Sequence, residues 1–80
     1  MRKEPQTFAA RLQYLREKHG ISRKILSELC GLSKNMIARY ERGEVQPNLA
    51  SLIALSAYFE VSIDYLACQK DEKNKKTEKN

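Results

Sequence analysis

Between Ser33 and Arg42 the chain reads Ser-Lys-Asn-Met-Ile-Ala-Arg-Tyr-Glu-Arg, with strong side-chain donors at Lys34, Asn35, Arg39 and Arg42. An ammonium or guanidinium donates to guanine O6 and N7, and a carboxamide pairs with N6 and N7 of adenine, so this set has the chemistry to read base edges. On a helix opening at Lys34, the side chains of Lys34, Asn35 and Ala38 fall opposite Leu32, Ile37 and Tyr40, and Arg39 extends beside them one turn on. Small Ala38 would let such a helix settle deeply into a groove. Ser22, Arg23, Ser33 and Arg42 are of the types that donate to phosphate oxygens. Ser22 and Ser33 suit helix N-caps equally well, and the arginines a solvated surface. Other chemistries find little support. Cys30, Cys68 and His19 offer no closely spaced ligand pair, and no nucleophile triad, carboxylate pair or phosphate-cradling glycine loop is visible, so neither an enzyme nor a bound metal or cofactor is expected. His19 before Gly20 suits a helix C-terminus, Cys30 a small core position, and Cys68 an exposed thiol.

The elements that must position these side chains follow from apolar periodicity and punctuation. Phe8, Leu12 and Leu15 form the i, i+4, i+7 stripe of a helix over Thr7–His19, with Thr7 as N-cap and Gly20 as the stop. Ser22 opens a second helix over Arg23–Cys30, closed by Gly31, and Ser33 a third over Lys34–Arg42, closed by Gly43. Asn48 caps a fourth running to about Glu60, with Leu49, Leu52, Ile53, Leu55 and Phe59 as its apolar face. Ser62 begins a short fifth with Ile63, Tyr65 and Leu66. Gly31, Leu32 and Ser33 alone separate the second and third helices, a connection short enough to force a steep crossing, as in a helix-turn-helix. Ser27 is small where the next helix approaches, and Leu26, Cys30, Leu32, Ile37 and Tyr40 supply the buried side.

At this point the chain resembles the lambda-repressor-like (Cro/phage-repressor, XRE-type) helix-turn-helix family, on Leu26-Ser27, Gly31, Ser33, Ile37, Tyr40-Glu41, Gly43 and Pro47-Asn48-Leu49. The resemblance covers about residues 8–66 and implies a compact all-α, five-helix DNA-binding domain. Its third helix, 34–42, would enter the major groove of an operator, with Lys34, Asn35 and Arg39 as readers. Arg23 stands where the family commonly has Gln, and Met36 where it often has a small hydroxyl residue, so the role of Met36 at a DNA face is doubtful. The resemblance also implies a buried Arg16–Glu41 pair that fixes the recognition helix, and a symmetric dimer on a palindromic site. Tyr58, Val61, Ile63, Tyr65 and Leu66 are the candidates for that homodimer interface, some of them needed instead to seal the core. A small stand-alone transcriptional regulator, most simply a repressor, is the expected function. The alternative is an antitoxin or regulatory adaptor whose fourth and fifth helices bind a protein partner.

Composition agrees with these expectations. Eighty residues suffice for one small domain, expected over 5–68, flanked by an arm at 1–4 and a charged tail at 69–80, QKDEKNKKTEKN, that lacks apolar residues and is expected to be disordered. The net charge of +5 is unevenly spread: residues 1–42 carry ten basic and four acidic groups, whereas 43–69 carry none basic and three acidic. A basic half next to an acidic one favours a polyanionic partner on the first and leaves the second for a different contact. No apolar run reaches bilayer-spanning length and MRKEPQ leads into no signal-peptide core, so a cytoplasmic location with reduced thiols and no membrane contact is expected.

Overall fold

The computed structural model describes residues 5–68, and the expected arm at 1–4 and tail at 69–80 lie outside the described residues. Within them the chain forms five helices: α1 (Phe8–Lys18), α2 (Arg23–Leu29), α3 (Met36–Glu41), α4 (Leu49–Phe59) and α5 (Ile63–Leu66). Four start as their sequences dictate, with a side-chain oxygen accepting from a backbone N–H that would otherwise be orphaned. Thr7 accepts from Ala10 at 3.1 Å, Ser22 from Ile25 at 3.1 Å, Asn48 from Ser51 at 2.8 Å and Ser62 from Tyr65 at 3.0 Å.

α3 departs from expectation. It starts at Met36, two residues later than Lys34, and no side chain caps it. The Ser33 carbonyl, not its hydroxyl, is engaged, accepting from the Met36 N–H at 3.0 Å. Ser33, Lys34 and Asn35 therefore form a tight turn leading into the helix, with one helical turn's worth of donors displayed ahead of it.

One core joins all five elements: Leu12 and Leu15 from α1, Leu26 from α2, Ile37 and Tyr40 from α3, Leu55 and Phe59 from α4, and Leu66 from α5. Phe8, Cys30, Leu32 and Leu52 pack against it half-buried. The apolar face foreseen for α4 is narrower than its composition implied. Leu49 and Ile53 are 64% and 49% exposed: at 100° per residue Ile53 falls well away from Leu55 and Phe59, and Leu49 is the first residue of the helix. Ser51 and Ser56 take the buried positions instead, and each is satisfied: Tyr40 Oη donates to Ser51 Oγ at 2.9 Å, and Ser56 Oγ donates to the Ile53 carbonyl at 3.1 Å. α3 lies against both α1 and α2, so the segment that carries the candidate donors is fixed from two sides.

Candidate nucleic-acid interface

The turn between α2 and α3 is built by backbone hydrogen bonds. Gly31 N–H donates to the Glu28 carbonyl at 3.2 Å and Leu32 N–H to that of Ser27 at 2.8 Å, the paired closure that ends a helix through a left-handed residue. Gly31 is that residue, at φ 71°, and an added Cβ would meet nothing within 4 Å. Backbone conformation rather than crowding reserves the position for glycine. The closure drops Leu32 into contact with the core and sends the chain across α2 into the turn at Ser33–Asn35. Ser27 is fully buried beside this closure.

Lys34, Asn35 and Arg39 are all exposed: Lys34 and Asn35 lie in the turn before α3, and Arg39 lies one helical turn on, its N–H donating to the Asn35 carbonyl at 3.1 Å. Ala38 and Met36 are half-buried, and Met36 packs against the core, a setting that removes it from the exposed donor set. Ser22, Arg23, Ser33 and Arg42 are exposed as well.

What holds α3 in place is a carboxylate with two arginines. Arg16 Nε donates to Glu41 Oε2 at 2.6 Å and its Nη2 to Oε1 at 3.2 Å, while Nη1 donates to the Ile21 carbonyl at 3.0 Å. Arg23 Nε adds a 3.0 Å bond to Glu41 Oε1. The Glu41 side chain is 3% exposed, so the pair is shielded from water and from salt. This cluster links α1, α2 and α3 at one point. Arg23, read from the sequence as a phosphate donor, is thus also a structural partner, with its side chain 54% exposed.

Two residues were missed at the sequence level. Arg11 is 1% exposed, with Nε donating to the Pro5 carbonyl at 2.9 Å, Nη1 to the Tyr65 carbonyl at 2.7 Å, and its guanidinium 4.3 Å from the centre of the Tyr65 ring. The signal was present: Phe8, Arg11, Leu12 and Leu15 are i, i+3, i+4 and i+7 of one face. The other is Glu44. Its Oε2 accepts from Arg42 Nε at 2.6 Å and its Oε1 from Arg42 Nη2 at 3.2 Å, and Arg39 Nε lies 3.6 Å away. The Arg42 guanidinium holds the Glu44 carboxyl below the usual carboxylate range, and Glu44 raises Arg42 in turn.

The residues proposed for self-association divide. Leu66 is fully buried and takes the core-sealing role left open for this group, while Val61 and Tyr65 pack against the same core. Val61, Ile63 and Tyr65 are half-buried, and Tyr58 is 37% exposed, its ring edge-on to Phe59 at 5.0 Å.

The sequence profile described as helix-turn-helix matches residues 12–66, from within α1 to the end of α5. The chain belongs to the helix-turn-helix family. Among helix-turn-helix proteins it is 38% identical over 72 residues to the transcriptional regulator ImmR of Bacillus subtilis, covering 90% of this chain and 56% of that one. It is 36% identical over 61 residues to repressor protein C2 of Salmonella phage P22, covering 76% of this chain and 28% of that one. The chain therefore spans little more than half, and in places under a third, of the length of these curated relatives. Its fold is lambda-repressor-like: it superposes on the P22 c2 repressor, solved in complex with a synthetic operator, with a TM-score of 0.76 and 33% identity over 82% of this chain and all of that one. The restriction-modification controller C.AhdI of Aeromonas hydrophila gives a TM-score of 0.68 at 29% identity, over 74% of this chain and 89% of that one.

Proposed function

We propose that this helix-turn-helix protein binds double-stranded DNA sequence-specifically and acts as a transcriptional regulator, most simply a repressor. α3 and the turn before it enter the major groove, with Lys34, Asn35 and Arg39 on base edges and Ser22, Arg23 and Ser33 on flanking phosphates. The observation that carries the reading is the set of exposed donors, Lys34 and Asn35 in the turn before α3 and Arg39 on it, along a helix pinned through the buried Glu41 carboxylate by Arg16 and Arg23. Reading a base demands a rigid donor, and a fixed helix supplies it. The likeness to the P22 c2 repressor, whose structure holds an operator, supports double-stranded DNA as the partner.

One such surface spans few base pairs, so two copies on a palindrome supply the remaining specificity, with Tyr58, Val61, Ile63 and Tyr65 toward the partner copy. A second reading, a protein partner on α4, is favoured by the exposure of Leu49 and Ile53.

Selection of duplexes from a random pool identifies the operator, and anisotropy titrations then test the docking. Alanine at Lys34, Asn35 or Arg39 is expected to cost ~1–3 kcal/mol and to relax preference at one base pair each. Each phosphate neutralised by a lysine or arginine is expected to steepen the fall of log affinity against log salt by about 0.9. No enrichment from the pool together with a flat salt response would reject the proposal.

A further inference from the structure

The closure after α3 has a consequence for DNA discrimination. Gly43 N–H donates to the Tyr40 carbonyl at 3.0 Å and Glu44 N–H to that of Arg39 at 2.9 Å, which folds the chain back under the last turn of the helix. Glu44 is thereby set beside Arg39, a proposed base reader, and Arg42, which its sequence position made a candidate for a phosphate. Its grip on them is unequal: two bonds, at 2.6 and 3.2 Å, to Arg42, but a single 3.6 Å approach to Arg39. All three side chains remain substantially exposed, at 57% for Arg42, 45% for Arg39 and 46% for Glu44, so the grouping is open to a competing anion.

We propose that Glu44 is a specificity-determining residue, an internal substitute for phosphate that withholds Arg42 from the DNA backbone while leaving Arg39 available to a base. The inference rests on the DNA-binding function proposed above. Non-specific affinity comes almost entirely from cations meeting phosphates, whatever the sequence. A carboxylate that occupies Arg42 and adds its own negative charge near the backbone subtracts from that component. The specific complex loses less, because Arg39 leaves a long, weak pair for a bidentate guanine contact, and Arg42 stays where it is. The planar fork that suits phosphate suits the Glu44 carboxylate equally, which is why one can stand in for the other.

The experiment compares wild type with Glu44→Gln on the selected operator and on a mixed-sequence duplex of equal length, between 50 and 200 mM salt. Glu44→Gln is expected to bind the mixed duplex ~3- to 10-fold more tightly, with a salt slope steeper by about one per protomer, while operator affinity rises by less than about twofold. In an Arg42→Ala background the same change is expected to add much less, under about twofold, to mixed-duplex binding, because only the carboxylate's own repulsion is then removed. Equal gains on both duplexes, no gain on the mixed one, or an undiminished gain without Arg42 would each overturn the role of Glu44. Failure of the wild type to bind either duplex at 50 mM salt would instead overturn the proposed DNA binding itself.

Discussion

At Ser27 a hydroxyl is fully buried with no hydrogen-bond partner, although its backbone carbonyl accepts from Leu32. Nothing in the structure pairs that oxygen, and desolvating an unpaired hydroxyl costs about 1–3 kcal/mol. Ser27→Ala is accordingly expected to raise stability by up to about 1 kcal/mol, seen as a higher urea midpoint at unchanged slope. A fall in the midpoint would show that the hydroxyl is satisfied in solution. At this scale the sequence was legible for side chains whose task is local. Caps at Thr7, Ser22, Asn48 and Ser62 act within three residues of themselves, so spacing suffices to find them. Glu44 was not legible in the same way. Its role depends on where a left-handed turn aims it, and a string of letters carries no direction.

Among the elements, α4 stops in an unusual manner. Its chain reverses at Glu60, in the left-handed region at φ 60°, a conformation that costs a side-chain-bearing residue ~1–2 kcal/mol. The carboxylate also sits at the negative end of the helix. Glu60→Gly relieves both, against ~0.4–1 kcal/mol for the added freedom of the unfolded chain. A net gain of about 0.5–1.5 kcal/mol is expected in thermal or urea unfolding, and a loss would mean that the Glu60 side chain makes contacts worth more than the strain. Helix order and number were readable from periodicity because each stripe has to face the same core. The start of α3 was not, since a tight turn and a first helical turn share spacing and differ only in which carbonyl accepts. The breadth of the α4 face was overread for a related reason: leucine and isoleucine at every angle look like core until the buried serines are seen to claim two of the inward positions.

Considered as a whole, the molecule is tied together by two arginines from α1 that sequence reasoning treated very differently. Arg16 and Glu41 were expected only because of a family resemblance; periodicity gave no hint of a bond between residues so far apart in the chain. Replacing Arg16 with Met removes the bidentate partner of a shielded carboxylate and the donor to the Ile21 carbonyl. The loss of one partner of a buried pair costs about 3–5 kcal/mol, and because Arg23 still holds Glu41 the expected loss lies at the lower end, about 3 kcal/mol. Arg23→Ala, at a half-exposed position, should cost under about 1 kcal/mol in the same urea titration, and equal losses would contradict this division of roles. Arg11 does the corresponding work at the opposite end of the elements. Since one guanidinium holds the carbonyls of both Pro5 and Tyr65, the chain enters and leaves the fold at a single spot. Loss of that one guanidinium would therefore loosen both ends of the described fold together, at Pro5 and at Tyr65, rather than either alone.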